Sequence, residues 1–220
     1  MHQKITLSIE FVLFFVVLPM LFAILPELGF EPRMNFILVA GSILLGLIYI
    51  IYTLFKKTKI RFRIKKGIQW SHFWKRTAIT FLIIAVVTGL YVYFIDASAL
   101  FCVPRTDMDL YIKILFIYTF LSVWPQEVIY RTFFFERFGQ LFKDERIAIL
   151  VGAFVFSLAH LLLRNALVLV LTFIGGLLFG YTYVKTRSTT LVSIEHALYG
   201  NWLFTVGMGK ILAFPGMDNC

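Results

Sequence analysis

TAITFLIIAVVTGLYVYFI, residues 77–95, runs for nineteen residues without a single charge. As an α-helix it would be about 28 Å long, close to the ~30 Å hydrocarbon core of a bilayer. Working outward, similar apolar runs recur at about 5–25, 35–55, 110–138, 147–163, 166–184 and 190–207. With 60% hydrophobic and only 15% charged residues, the solvent for most of this chain is lipid. The expected fold class is all-α, a polytopic transmembrane helical bundle of about seven spans. At 220 residues no length remains for a separate soluble domain.

Charge placement orients the bundle. The formal charge of +9 is not a nucleic-acid signature, because Lys56, Lys57, Lys59, Arg61, Arg63, Lys65, Lys66, Lys75 and Arg76 share one connection between spans. Such a basic connection marks the cytoplasmic side. The net acidic turn at 26–33 then lies outside, the N-terminus lies in the cytoplasm, and the chain is a multi-pass cell-membrane protein. The first span carries Glu10 and no small-x-small cleavage site, so it is expected to be retained rather than removed as a signal peptide.

Trp70 and Trp74 suit an interfacial segment. The polar loop holding Asp96, Asp107 and Asp109 is expected outside, and Lys143–Arg146 inside. The long fourth run needs tilt or a kink at Pro125, and Gly139 is expected to cap its end. Gly175, Gly176 and Gly180 should allow close helix approach. Cys102 and Cys220 have no metal-binding spacing, and no structural disulfide between them is expected.

Three short runs break the apolar pattern: Pro125-Gln126-Glu127-Val128-Ile129-Tyr130-Arg131, Phe156-Ser157-Leu158-Ala159-His160 and Glu195-His196-Ala197-Leu198-Tyr199-Gly200-Asn201. Each ionisable group at membrane depth costs about 2.5–3.5 kcal/mol on insertion scales. Counting along each helix from its inner end places Glu127 roughly 16 Å deep, His160 roughly 20 Å and His196 roughly 10 Å. All three can therefore meet in the inner half of the bilayer, where a shared wet cavity is cheaper than separate exposure to lipid.

Glu127 and Arg131 are one turn apart with the acid first, the favourable order for an ion pair. Such a pair can be purely structural, and a lone membrane histidine is often only a helix-to-helix hydrogen bond. Together, two imidazoles and a carboxylate suffice to hold and deprotonate a water, directly or through a divalent metal such as zinc. The implied chemistry is hydrolysis. Ser157 lacks a nucleophile's setting.

The order Glu-x-x-x-Arg, Phe-x-x-x-His, then His followed by a polar residue, each on a separate late helix, resembles the CPBP or Abi family. That family comprises type II CAAX prenyl endopeptidases and bacteriocin-processing and immunity proteins, described as intramembrane metalloproteases. The resemblance spans about 109–205, with 1–108 as N-terminal helices and 206–220 as a short tail. It implies an intramembrane endopeptidase acting on membrane-associated peptides or proteins. Glu127 would be the general base and Arg131 its neutralising partner. His160 and His196 would hold the water or, with Glu127, a metal, with Gln126 and Asn201 as auxiliary polar groups.

Two positions depart from the family pattern. Gln126 replaces the first of two adjacent acids, and an amide cannot take a proton at neutral pH. Gly200 stands four residues after His196, where the family has Asn, and Asn201 is displaced by about 100° around the helix. Glu195 is an additional acid, read as a partner of Arg131 or an orienter of a histidine. Two other classes stay open: a catalytically silent scaffold or bacteriocin-immunity protein of the same fold, and a small transporter with a proton relay. The transporter reading predicts broken helices in two corresponding halves, and the sequence has no such symmetry.

Overall fold

The computed structural model describes residues 2–29, 32–54, 56, 67–212 and 217, and among them all regular structure is helical. In chain order the long helices are α1 (Lys4–Leu28), α2 (Pro32–Thr53), α3 (Trp70–Ile95), α4 (Met108–Leu141), α5 (Glu145–Leu158), α6 (Ala166–Thr186) and α7 (Thr189–Val206). Among the described residues, α1, α3, α4, α6 and the segment Glu145–Leu163 are long and apolar enough to cross a membrane. At 22 and 18 residues, α2 and α7 also have lengths that suit a span. The protein is a multi-pass membrane protein. Lys57, Lys59, Arg61, Arg63, Lys65 and Lys66 of the basic connection lie outside the described residues.

Local chemistry sets the helix ends. The Asp107 carboxylate accepts from the Leu110 N–H at 2.8 Å and caps α4. Asp144 accepts from the N–H groups of Arg146 and Ile147 and caps α5, Asn165 does the same for α6, and Ser188 for α7. α3 begins at Trp70, so the end of the basic connection is already helical. Gly139 does not cap α4: its φ of −52° is right-handed, and the chain continues through a 3-10 turn to Leu141.

α4 is the spine of the molecule. Its middle winds as π-helix over Tyr118–Val123 and Val128–Phe138, on either side of the α-helical turn Trp124–Glu127 that contains Pro125. Proline lacks an N–H, and wide i→i+5 turns are a common accommodation around such a position. Beyond it, Phe133, Phe134 and Phe138 are fully buried, with Phe11 and Phe15 of α1 packed edge-on around Phe134 and Phe138. Glu10 of α1 is accounted for by Arg137 of α4, bound through both carboxylate oxygens at 3.2 and 2.7 Å.

α5 and α6 form the most closely packed pair. A Cβ added at Gly176 would fall 2.7 Å from Ala153 Cα, and one at Gly180 would fall 3.2 Å from Ile149. Those two glycines are what let the helices approach. Gly175 instead faces Phe179 of its own helix.

At the opposite end from the basic connection, Cys102 is disulfide-bonded, contrary to the expectation. The sequence's other cysteine, Cys220, lies outside the described residues. Tail residue Met217 packs with Val103, Ile114 and Phe204.

Candidate active site

The site lies where α4, α5, α6 and α7 meet. Glu127 and Arg131 come from α4, on either side of the junction with its second π-helical stretch. Both are completely buried, and Arg131 Nε lies 3.2 Å from Glu127 Oε2. The guanidinium donates from Nη1 to the Tyr130 carbonyl and is packed over the rings of Phe156 and Phe179, with 4.8 and 5.7 Å to their centroids. A neutral pair wrapped in aromatic faces is how this cation is tolerated away from water.

The other carboxylate oxygen of Glu127 reaches α7: its Oε1 is 2.7 Å from His196 Nδ1. A carboxylate only accepts, so Nδ1 carries the hydrogen and Nε2 holds the lone pair. His196 is held by ring contacts, stacked on Phe179 with centroids 4.4 Å apart and edge-on to Phe156. Its Nε2 faces the Tyr118 hydroxyl at 3.1 Å. The result is a line of three residues, Glu127, His196 and Tyr118, joined through both nitrogens of one imidazole.

His160 stands just beyond α5 rather than within a helix. Its ring Nδ1 donates to the Phe156 carbonyl at 2.8 Å, while its backbone N–H turns to Ser157. The side chain thus takes the acceptor that a continuing helix would have used, and the helix opens there. With Nδ1 committed, Nε2 is the free nitrogen. Ser157 donates its hydroxyl to the Leu169 carbonyl, a helix-to-helix bond.

A cavity of about 460 Å³ lies beside these groups. Tyr118, Gln126, His160 and His196 contribute polar atoms to walls that are otherwise mostly apolar, among them Phe156, Phe179 and Leu203. Glu127 stands behind His196 and is not part of the wall. Gln126 donates to the Ser122 hydroxyl at 2.8 Å, and its amide oxygen is buried without a hydrogen bond.

Asn201 and Glu195 point elsewhere. α7 is regular through Gly200, so Asn201 turns to α4, where its amide donates to Thr119 at 3.0 Å. Glu195 faces away from His196. Its cation is Arg76 of α3, with Nη2 at 3.0 Å from both oxygens, and Thr182 and Tyr199 also donate to it. The expectation that Glu195 pairs with Arg131 or orients a histidine is therefore corrected. Sequence reading missed Arg76 in this role because it counted only as one of the loop cations. It also missed Tyr118, for which the one available signal was the absent side chain at Gly200.

The metal expected from the family resemblance would use His160, His196 and Glu127. Among the described residues, no group of three His, Cys, Asp or Glu side chains is placed to hold an ion. One oxygen of Glu127 is engaged by His196 and the other faces Arg131, so two imidazole nitrogens are what the site offers, fewer than the three protein ligands of catalytic zinc. These residues do not fit a metal centre, and no step below passes through one.

The family model described as type II CAAX prenyl endopeptidase Rce1-like matches residues 108–203. That segment holds α4, α5, α6, α7 as far as Leu203 and all three motifs, and the match shows the resemblance read from them. No curated protein and no solved structure was found to match the chain.

Proposed function

We propose that the chain is an intramembrane endopeptidase that hydrolyses peptide bonds of membrane-associated peptides or proteins, using a water activated by His196. The observation that carries this reading is the hydrogen bond from His196 Nδ1 to the buried Glu127 carboxylate, which fixes the tautomer and leaves the Nε2 lone pair at the cavity wall. The family match supports the same reaction class. The mostly apolar cavity suits a substrate segment that arrives through lipid.

Glu127 serves here as the residue behind the base rather than as the base itself. Its charge stabilises the imidazolium that forms when Nε2 takes the water's proton, and Arg131 pairs with its far oxygen. His160 and Gln126, which line the same cavity, orient the water or the peptide. In the balanced step, the water oxygen bonds to the carbonyl carbon while its proton passes to His196 Nε2. The C–N bond then breaks, and the leaving nitrogen takes that proton.

A specific observation favours a second reading. Gln126 and Gly200 stand where the family pattern has an acid and an amide, which suits a protein that binds membrane peptides without cutting them. The experiment that separates the two is incubation of reconstituted protein with membrane-embedded reporter peptides, read by mass spectrometry. Cleavage by the wild type and none by His196→Ala supports the protease. Retention of uncut peptide by both supports the binder.

A further inference from the structure

Tyr118 belongs to the first π-helical stretch of α4 and faces α7. An ideal Cβ built on Gly200 would lie 2.0 Å from the Tyr118 hydroxyl and 2.4 Å from its ring. Any side chain at position 200 would therefore evict this phenol, and glycine is what admits it. Phe204, one turn further along α7, packs edge-on against the Tyr118 ring at 4.8 Å. The hydroxyl so placed is 3.1 Å from His196 Nε2, on the wall of the cavity shared with Gln126 and His160.

We propose that Tyr118 is a catalytic residue whose hydroxyl donates to the oxyanion formed at the scissile carbonyl, occupying the space that a side chain at position 200 would otherwise fill. This deepens the protease reading and rests on it. In the free protein Nε2 holds a lone pair, because Nδ1 donates to Glu127, so the phenol donates to Nε2. Nε2 has one lone pair, so the attacking water can deliver its proton there only once the phenol hydrogen has turned from Nε2 to the scissile carbonyl oxygen. As the carbonyl π electrons move onto that oxygen, the new oxyanion holds the phenol as its donor, and the protonated Nε2 can no longer take it back. Arrival of the proton on His196 and stabilisation of the oxyanion are thus coupled through one imidazole nitrogen. A preplaced donor at a developing oxyanion is commonly worth about 10²–10³ in kcat.

The test uses full-length protein reconstituted in vesicles with a cleavable membrane peptide. Tyr118→Phe keeps the ring that fills the gap beside Gly200 and removes only the hydroxyl. Its kcat should fall about 10²-fold or more with KM within about twofold of wild type. Tyr118→Ala should be equally impaired, and Tyr118→Ala/Gly200→Asn should regain part of the lost kcat, because an amide donor then occupies the vacated space. Gly200→Asn alone should lose activity, since the Tyr118 ring is already there. A Tyr118→Phe variant with wild-type kcat, alongside an inactive His196→Ala, overturns the role of Tyr118 and leaves the protease reading standing. Full activity in His196→Ala, or none in the wild type, overturns both.

Discussion

His196 and Glu127, 69 residues apart, are joined by a 2.7 Å contact between Nδ1 and Oε1 at the α4–α7 interface. The far oxygen of the same carboxylate faces the buried Arg131 guanidinium. One carboxylate therefore has two tasks, holding a histidine tautomer and balancing a buried cation, and these respond differently to substitution.

Glu127→Gln keeps the volume and an acceptor for Nδ1–H but removes the negative charge. Cleavage should fall by about 10²–10⁴ in kcat. Leaving Arg131 unbalanced should also destabilise the fold by about 3–5 kcal/mol. Glu127→Gln/Arg131→Gln removes both charges, so its thermal midpoint in detergent should recover toward wild type while cleavage stays lost. Recovery of cleavage in the double variant would show that the carboxylate serves only the ion pair.

Gln126→Glu restores an acid at the cavity wall, beside the unbonded amide oxygen of the present residue. Turnover should be preserved or raised, by up to about 10²-fold, because a second proton acceptor then faces the site. Loss of turnover with an unchanged thermal midpoint would argue against a proton-transfer role for this wall.

Gly176→Val places a side chain where a Cβ alone would meet the Ala153 backbone at 2.7 Å. The α5–α6 pair must separate, at a cost of about 1–3 kcal/mol. Gly139→Ala, at a right-handed φ with open space around it, should leave the thermal midpoint unchanged. Equal effects at the two positions would contradict the packing account.

Orientation is testable through the charge asymmetry. Single cysteines placed in 56–76 and 143–146 should be shielded from impermeant reagents in intact cells, and those placed in 96–109 should react. Labelling of 56–76 from outside would invert the bundle.

The spans were legible because bilayer thickness imposes a length and because unpaired charges at depth are costly, which drew attention to Glu127, His160 and His196. Other features depended on distant packing. Arg76 reads as one more cation of a basic loop until α3 brings it to Glu195. The helix around His160 opens because a side-chain nitrogen takes the Phe156 carbonyl, although no glycine or proline in the run announces a break. Asn201 looked like the displaced amide of the third motif, yet a regular α7 turns it to Thr119. Tyr118 sits in an ordinary apolar run and acquires its place only from the gap at Gly200.

Hydrolysis by a water activated at His196 must leave that water's oxygen in the product. Reconstituted wild-type protein is incubated with a membrane-embedded reporter peptide in ¹⁸O-labelled water, and the fragments are weighed. Two fragments meeting at one peptide bond are expected, with one ¹⁸O atom in the newly formed carboxylate, and no fragments from His196→Ala of normal fold. An intact peptide with folded wild-type protein, or equal cleavage by His196→Ala, would contradict it.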